Sequence, residues 1–177
     1  VGVGFDTKWD GEVFNPSLLT EDAQFYEVDD SREGWAYSTY LLMESYLLKG
    51  KGQITFDYSK IRAKGEPILS YGGVAGGPDP LILLHKQIRS CFDCYYRVHN
   101  EGMKAKDSIR MMLYEMKDYD SKFANIFEST MKTFEAGDES FKTFNHSYFV
   151  TNLFNMAGVC VIDGNVFNRT AQIALGE

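Results

Sequence analysis

Gln53-Ile54-Thr55-Phe56-Asp57-Tyr58 and, after a turn, Tyr71-Gly72-Gly73-Val74-Ala75-Gly76-Gly77-Pro78-Asp79-Pro80-Leu81 decide the fold of this chain. In the first segment Ile54, Phe56 and Tyr58 fall on one side and Thr55 and Asp57 on the other, which is the period of a strand. The second is a glycine-rich loop that opens directly into a helix, with Asp79 as its cap and Pro80 in its first turn. Leu81, Leu84, Ile88, Cys91 and Tyr95 continue that helix at core spacing.

Working outward, Asp30-Ser31-Arg32-Glu33 has the spacing of a capped helix start, and Gly50 supplies the stop. The helix is predicted to bury Ala36, Tyr40, Met43 and Leu47, with Trp35, Leu42 and Tyr46 widening the stripe. Val1 to Phe5 reads as a strand, and residues 6–29 as a polar, irregular connection. Ser59 to Glu66 turns away from the central strand, and Pro67-Ile68-Leu69 starts a short extended piece. Residues 100–145 are charged, methionine-rich and helical in pattern. They predict two helices with an acidic break at Ala136-Gly137-Asp138-Glu139, and read as a helical insertion within a domain covering residues 1–177. Ser147 to Ala157 predicts a further helix presenting Phe149, Leu153 and Phe154, Val159 to Ile162 a buried strand, and Ala171 to Leu175 a final strand. The order is mixed α/β, with connections long enough for parallel pairing.

Composition narrows the function. With 177 residues, 44% of them hydrophobic and 15% aromatic, the chain can bury a real core. A net charge of -7 argues against a nucleic-acid or anionic-membrane partner, so any phosphate must be held by local cations. No apolar run approaches the roughly 20 residues of a spanning helix, and no export signal opens the chain, so the expected compartment is the cytoplasm. Apolar strand patterns at both termini give the chain the look of a piece of something larger.

Several residues are candidates for chemistry. Gly72, Gly73, Gly76 and Gly77 lie in a loop opening a helix, which suits a phosphate through exposed N–H groups and the helix dipole. A tight turn needing positive φ explains the same glycines. Arg62 and Lys64, before Gly65 in a turn after a strand, can grip a phosphate or form a solvated basic turn, and Arg169 has the same ambiguity. Cys91 and Cys94 lie about three turns into their helix, too far from its N-terminus for a lowered thiol pKa, and read as structural. His85, His99 and His146 show no metal spacing and read as solvated or helix-packed, so no metal site is expected.

Five blocks in order resemble class II, adenosylcobalamin-dependent ribonucleotide reductases. They are Gly2-Val3-Gly4-Phe5-Asp6-Thr7; Asp30-Ser31-Arg32-Glu33-Gly34-Trp35; the segment from Phe56 through Arg62 and Gly65 to Ile68; Gly72 to Leu81; and Gly164-Asn165-Val166 through Arg169 to Gly176. The resemblance excludes residues 100–145. It implies part of a ten-stranded α/β barrel that reduces ribonucleotides, as a thioredoxin-dependent ribonucleoside-triphosphate reductase, through a cobalamin-initiated cysteine thiyl radical. The radical cysteine of that family lies in an Asn-x-Cys-x-Glu context that this sequence lacks, so the isolated chain is expected to be inactive. The implied partners are a ribonucleotide substrate, a deoxynucleotide effector, a thioredoxin-like reductant and the remainder of the barrel. By resemblance Gly2 and Gly4 line the substrate pocket, Arg62, Lys64 and Gly65 meet effector phosphate, and Asn165 and Arg169 belong to the loop linking effector base to substrate base. The sequence departs from the family where Phe167 and Asn168 separate Gly-Asn-Val from a single arginine. Two rival readings are a non-catalytic deoxynucleotide-binding or assembly module of a split enzyme, and an unrelated phosphate-binding α/β protein. The last predicts that residues 2–7 and 164–170 lie far apart.

Overall fold

The computed structural model describes residues 2–18, 24–69, 72–137, 144–164 and 171–175. Its elements are β1 (Gly2–Asp6), β2 (Gln24–Glu27), α1 (Arg32–Leu47), β3 (Ile54–Asp57), α2 (Asp79–His99), α3 (Ala105–Tyr119), α4 (Ser121–Glu135), α5 (His146–Asp163) and β4 (Ala171–Leu175), with one 3-10 turn at Pro16–Leu18. The chain is mixed α/β and mostly helical. Among the described residues the strands form two parallel pairs, β1 with β4 and β2 with β3.

The β2–α1–β3 unit follows from local chemistry. Ser31 caps α1 by accepting from Gly34 N at 3.0 Å. At the other end the Leu48 amide closes the last turn on Glu44 O. The chain then returns as β3, whose Ile54 lies opposite Gln24 and whose Asp57 lies opposite Glu27. β2 corrects the expectation that residues 6–29 are irregular throughout: Gln24-Phe25-Tyr26-Glu27 is too short and too exposed for a clear alternation, and its pairing with β3 makes it a strand.

Helix α2 is the spine. Leu81, Leu84, Ile88, Cys91 and Tyr95 are all buried, together with Phe92. Phe92 stacks on Tyr46 of α1 at 4.7 Å and meets Phe149 of α5 edge-on at 4.9 Å, so three helices share one aromatic core. The cap position of α2 is Pro78, and Asp79 is its first helical residue.

Three further expectations change. Val159 to Ile162 is the last turn of α5, and not a strand: its β-branched residues continue the helix that Asn145 caps, and Gly164 N donates to Cys160 O at 2.8 Å. The break between the two helices of the 100–145 segment falls at Asp120, whose carboxylate caps α4, and not at the acidic stretch near 136–139, of which Asp138 and Glu139 lie outside the described residues. Finally, the buried face of α1 is Gly34, Ser38, Leu42, Ser45 and Tyr46. Its small polar members return their hydroxyls to the helix, Ser38 to Trp35 O and Ser45 to Leu42 O. Of the residues predicted to be buried, Leu42 and Tyr46 are in the core and Trp35, Met43 and Leu47 pack against it, whereas Ala36 and Tyr40 border a cavity that Met43 also lines.

Candidate functional site

That cavity, of about 810 Å³, lies between α1, the turn after β3, the glycine loop at the start of α2, and the last turns of α5. Its volume is within the roughly 300–1,000 Å³ usual for small-molecule sites. Trp35, Met43, Leu81, Leu84 and Val161 give it apolar walls, and Asp30, Ser31, Arg32, Glu33 and Arg62 supply charged and polar lining of both signs.

Arg62 is fixed by one distant and one nearby partner. Nε donates to Asp30 Oδ2 at 2.6 Å, and Nη1 donates to Pro67 O at 3.3 Å. Among the described residues Nη2 has no partner. A guanidinium oriented by a carboxylate, with one donor edge left over at a cavity mouth, is suited to an anionic oxygen.

The glycine loop reaches the cavity at Gly76 and Gly77. A Cβ on Gly76 would lie 2.5 Å from Asp163 O and 3.0 Å from Gly164 Cα, so backbone packs directly on the end of α5. Gly77 has φ of +78° and would meet Lys64 N at 3.1 Å. Gly164 in turn lies against Trp35, 3.1 Å from its indole when a Cβ is added. Gly72 and Gly73 serve a different purpose: at φ of 75° and 90° they form the tip of a hairpin in which Gly72 N bonds Ile68 O, Ile68 N bonds Gly73 O and Gly65 N bonds Ala75 O. That hairpin carries Gly72 and Gly73 outside the cavity lining.

The expected site residues therefore divide. Arg62, Gly76 and Gly77 share one cavity, Lys64 abuts it through Gly77, and Gly65 closes the neighbouring hairpin. Gly2 and Gly4 lie on β1, opposite Ala171 and Ile173 of β4, and a Cβ at Gly4 meets nothing within 4 Å. Asn165 and Arg169 lie outside the described residues. The pairing of Gly2 with Ala171 holds residues 2–6 beside 171–175, whereas residues 165–170, on which the reading as an unrelated α/β protein turns, lie outside the described residues. Asp30, Trp35 and Cys160 are cavity residues that motif reading did not single out as site residues, although Asp30 and Trp35 sit in one of the quoted blocks.

The thiols and imidazoles, Cys160 of the cavity wall included, show no activation. All three cysteines are free and buried, and burial pushes their thiols up, Cys160 to about 12. This is the opposite of an activated thiolate. His85 is buried between α1, α2 and β3, and desolvation lowers its pKa to about 3. Ser38 and Thr39 both give their protons to Trp35 O. His85 Nε2–H must then be the donor toward them, at 3.5 and 3.3 Å, while Nδ1 accepts from Tyr58 OH at 2.7 Å. His99 and His146 are bonded to the carbonyls of Phe144 and Trp9. Among the described residues no group of three His, Cys, Asp or Glu could hold a metal ion.

Comparison with known proteins finds relatives of one enzyme family. The family model for the B12-dependent ribonucleotide reductase insertion domain matches residues 7–92. The chain is 42% identical over 106 residues to a probable adenosylcobalamin-dependent ribonucleoside-triphosphate reductase of Dictyostelium discoideum, covering 51% of this chain and 14% of that protein. It is 30% identical over 179 residues to the adenosylcobalamin-dependent ribonucleoside-triphosphate reductase of Euglena gracilis, covering 100% of this chain and 18% of that protein. A third relative, from Lactobacillus leichmannii, is 37% identical over 72 residues, which is 38% of this chain and 10% of that reductase. No solved structure matches. These matches support the chain as a fragment of an adenosylcobalamin-dependent, class II, ribonucleotide reductase. It corresponds to less than a fifth of the length of these relatives, and the cavity-forming elements through most of α2 lie in the span matched by the insertion-domain model.

Proposed function

We propose that this chain supplies the nucleotide-recognition part of a reductase that converts ribonucleotides to deoxyribonucleotides by a cobalamin-initiated thiyl radical mechanism. The observation that carries this reading is the cavity with Arg62 at its mouth, built from the blocks that resemble the family. In this reading Arg62, with Lys64 and Gly65 beside it, receives effector phosphate. The apolar wall of Trp35, Met43 and Leu81 accepts the nucleoside, and Gly76 and Gly77 bring backbone close to the ligand. Gly2 and Gly4 border the substrate side on β1, and Asn165 and Arg169 belong to the segment between effector and substrate. β1 and β4 are adjacent strands of a ten-stranded barrel completed by the rest of the polypeptide, and residues 100–145 are a helical excursion from it.

The relatives are named adenosylcobalamin-dependent, and we assign that cofactor to the whole reductase. It supplies radical initiation there. The described residues of this segment do not fit its site: the thiols are buried with raised pKa, and each imidazole is already committed to a hydroxyl or a carbonyl. What these residues do is bind and orient a nucleotide and exclude water from it. The radical cysteine, the reducing thiols and the contact with a thioredoxin-like protein belong to other parts of the enzyme, in the cytoplasm. Among the described residues no helix is long and apolar enough to cross a membrane.

The test is calorimetric titration of the four deoxynucleoside triphosphates into the full-length protein without cobalamin. Binding of at least one is expected, and binding of none refutes the reading. The 177-residue chain alone, given adenosylcobalamin and a dithiol, is expected to form no deoxynucleotide. Turnover above a cobalamin-free blank would place the chemistry within it.

A further inference from the structure

The helical pair α3–α4 is attached to the cavity through its corner. Asp120, 7% exposed, accepts from Phe123 N at 2.9 Å through Oδ1, which caps α4, and from Gln87 Nε2 of α2 at 3.0 Å through Oδ2. Tyr119 OH donates to Ser90 Oγ of α2 at 2.9 Å, and the Lys86 ammonium lies 5.8 Å from the centre of its ring. Two residues beyond Asp120's partner bonds, Lys122 forms an ion pair with Asp163, the last residue of α5.

Asp163 is where the cavity rim is assembled. Its carbonyl is the surface against which Gly76 packs, and the next residue, Gly164, lies against Trp35. One turn earlier, Cys160 and Val161 form cavity wall. The corner of the helical pair thus ties the middle of α2 to the point where α1, the glycine loop and α5 converge. The apolar packing of the pair does not require this link, because Ile109, Met112 and Leu113 of α3 and Phe127, Met131 and Phe134 of α4 are already in the shared core.

We propose that the α3–α4 corner is a strut that holds the end of α5 against the glycine loop, and that Lys122 is a positioning residue for nucleotide binding in the cavity. This rests on the nucleotide reading of that cavity. Lys122 is well exposed, and exposed ion pairs contribute little to global stability, so its effect belongs at the rim and not in the melting temperature.

The test uses the full-length protein and two readouts. The first is the alkylation rate of Cys160, followed by peptide mapping: burial and the nearby Asp163 carboxylate hold this thiol up at about 12, so faster labelling than in the wild type reports loosening of the end of α5 around it. The second is the affinity for the four deoxynucleoside triphosphates. Lys122→Glu sets a second carboxylate against Asp163 and is expected to speed Cys160 labelling and weaken binding, each by up to about fivefold, the upper end of exposed-pair couplings. Lys122→Arg keeps the pair and is expected to match the wild type in both. The strut is overturned if Lys122→Glu leaves either readout unchanged, or if Lys122→Arg is impaired as much. If the wild-type protein binds none of the four, the nucleotide reading falls and the Lys122 assignment with it. If it binds them and Lys122→Glu changes nothing, the strut alone falls.

Discussion

Arg62→Ala is expected to separate binding from folding. In the folded chain the Arg62 side chain is 34% exposed and its partner Asp30 is 29% exposed, at 2.6 Å. A pair so accessible to water contributes about 0.2–1 kcal/mol to stability, so the variant should melt within a few degrees of the wild type. A phosphate oxygen at the free edge of the guanidinium experiences a dielectric between those of water and of a protein surface. At about 4 Å these bracket an attraction of roughly 1 to 4 kcal/mol. The range for a hydrogen bond to a charged group, about 1.5–3 kcal/mol, falls inside that bracket. The dissociation constant of the preferred deoxynucleoside triphosphate should therefore rise by roughly 10- to 150-fold. Arg62→Lys keeps the charge but cannot hold Asp30 and a phosphate with one planar fork, and should fall between the two. Isothermal calorimetry on the full-length protein measures both variants. An Arg62→Ala protein with wild-type affinity refutes the assignment of Arg62 to phosphate, and one with a collapsed melting temperature shows that the Asp30 pair is structural.

Three other outcomes follow from the core and the rim. His85 stays neutral down to about pH 3 when folded, whereas its reference value is 6.5. Between those values the unfolded state binds the extra proton, so stability falls as pH drops. Lowering the pH from 7.5 to 5.5 should cost the wild type about 1.4 kcal/mol more than a His85→Gln variant, read from urea unfolding at both pH values. Equal losses would show that His85 titrates normally. Gly76→Ala places a Cβ 2.5 Å from Asp163 O, a backbone atom that can yield only by moving the end of α5. An overpacking cost of about 1–3 kcal/mol in thermal or denaturant unfolding is expected, and a variant as stable as the wild type would contradict the contact. Phe92→Ala removes a fully buried ring from between Tyr46 and Phe149 and should cost about 3–5 kcal/mol, whereas a loss below 1 kcal/mol would mean that α1, α2 and α5 do not share a core.

Sequence periodicity is a statement about one element at a time. It therefore succeeded where a single helix decides burial, as in the stripe from Leu81 to Tyr95 of α2, and where a cap residue ends or starts a helix, as Ser31 does for α1. It failed where burial depends on a neighbour. The apolar residues Ala36, Tyr40 and Met43 of α1 border the cavity, yet the helix buries Gly34 against Asp29 and meets α2 through Ser38, which lies beside His85, and Tyr46, which stacks on Phe92. Val159 to Ile162 has strand composition and is helical because the turns before it are. β2 is a strand only by its register with β3.

For the site, the sequence by itself determined the chemistry on offer: a cation in a turn after a strand, glycines before a helix, an acidic chain in which phosphate needs a local partner, and five ordered blocks that resemble one enzyme family. What only the tertiary structure decided is which of these meet. It joined Arg62 to Asp30 across 32 residues of chain, and set Gly76 on Asp163 and Gly164 on Trp35. It sent Gly72 and Gly73 to a hairpin tip instead of the cavity. The physical reason is that hydrogen bonds and van der Waals contacts act over a few ångströms, whereas the residues that make this cavity run from Asp30 to Gly164 along the chain, so their meeting depends on how α1, α2 and α5 pack.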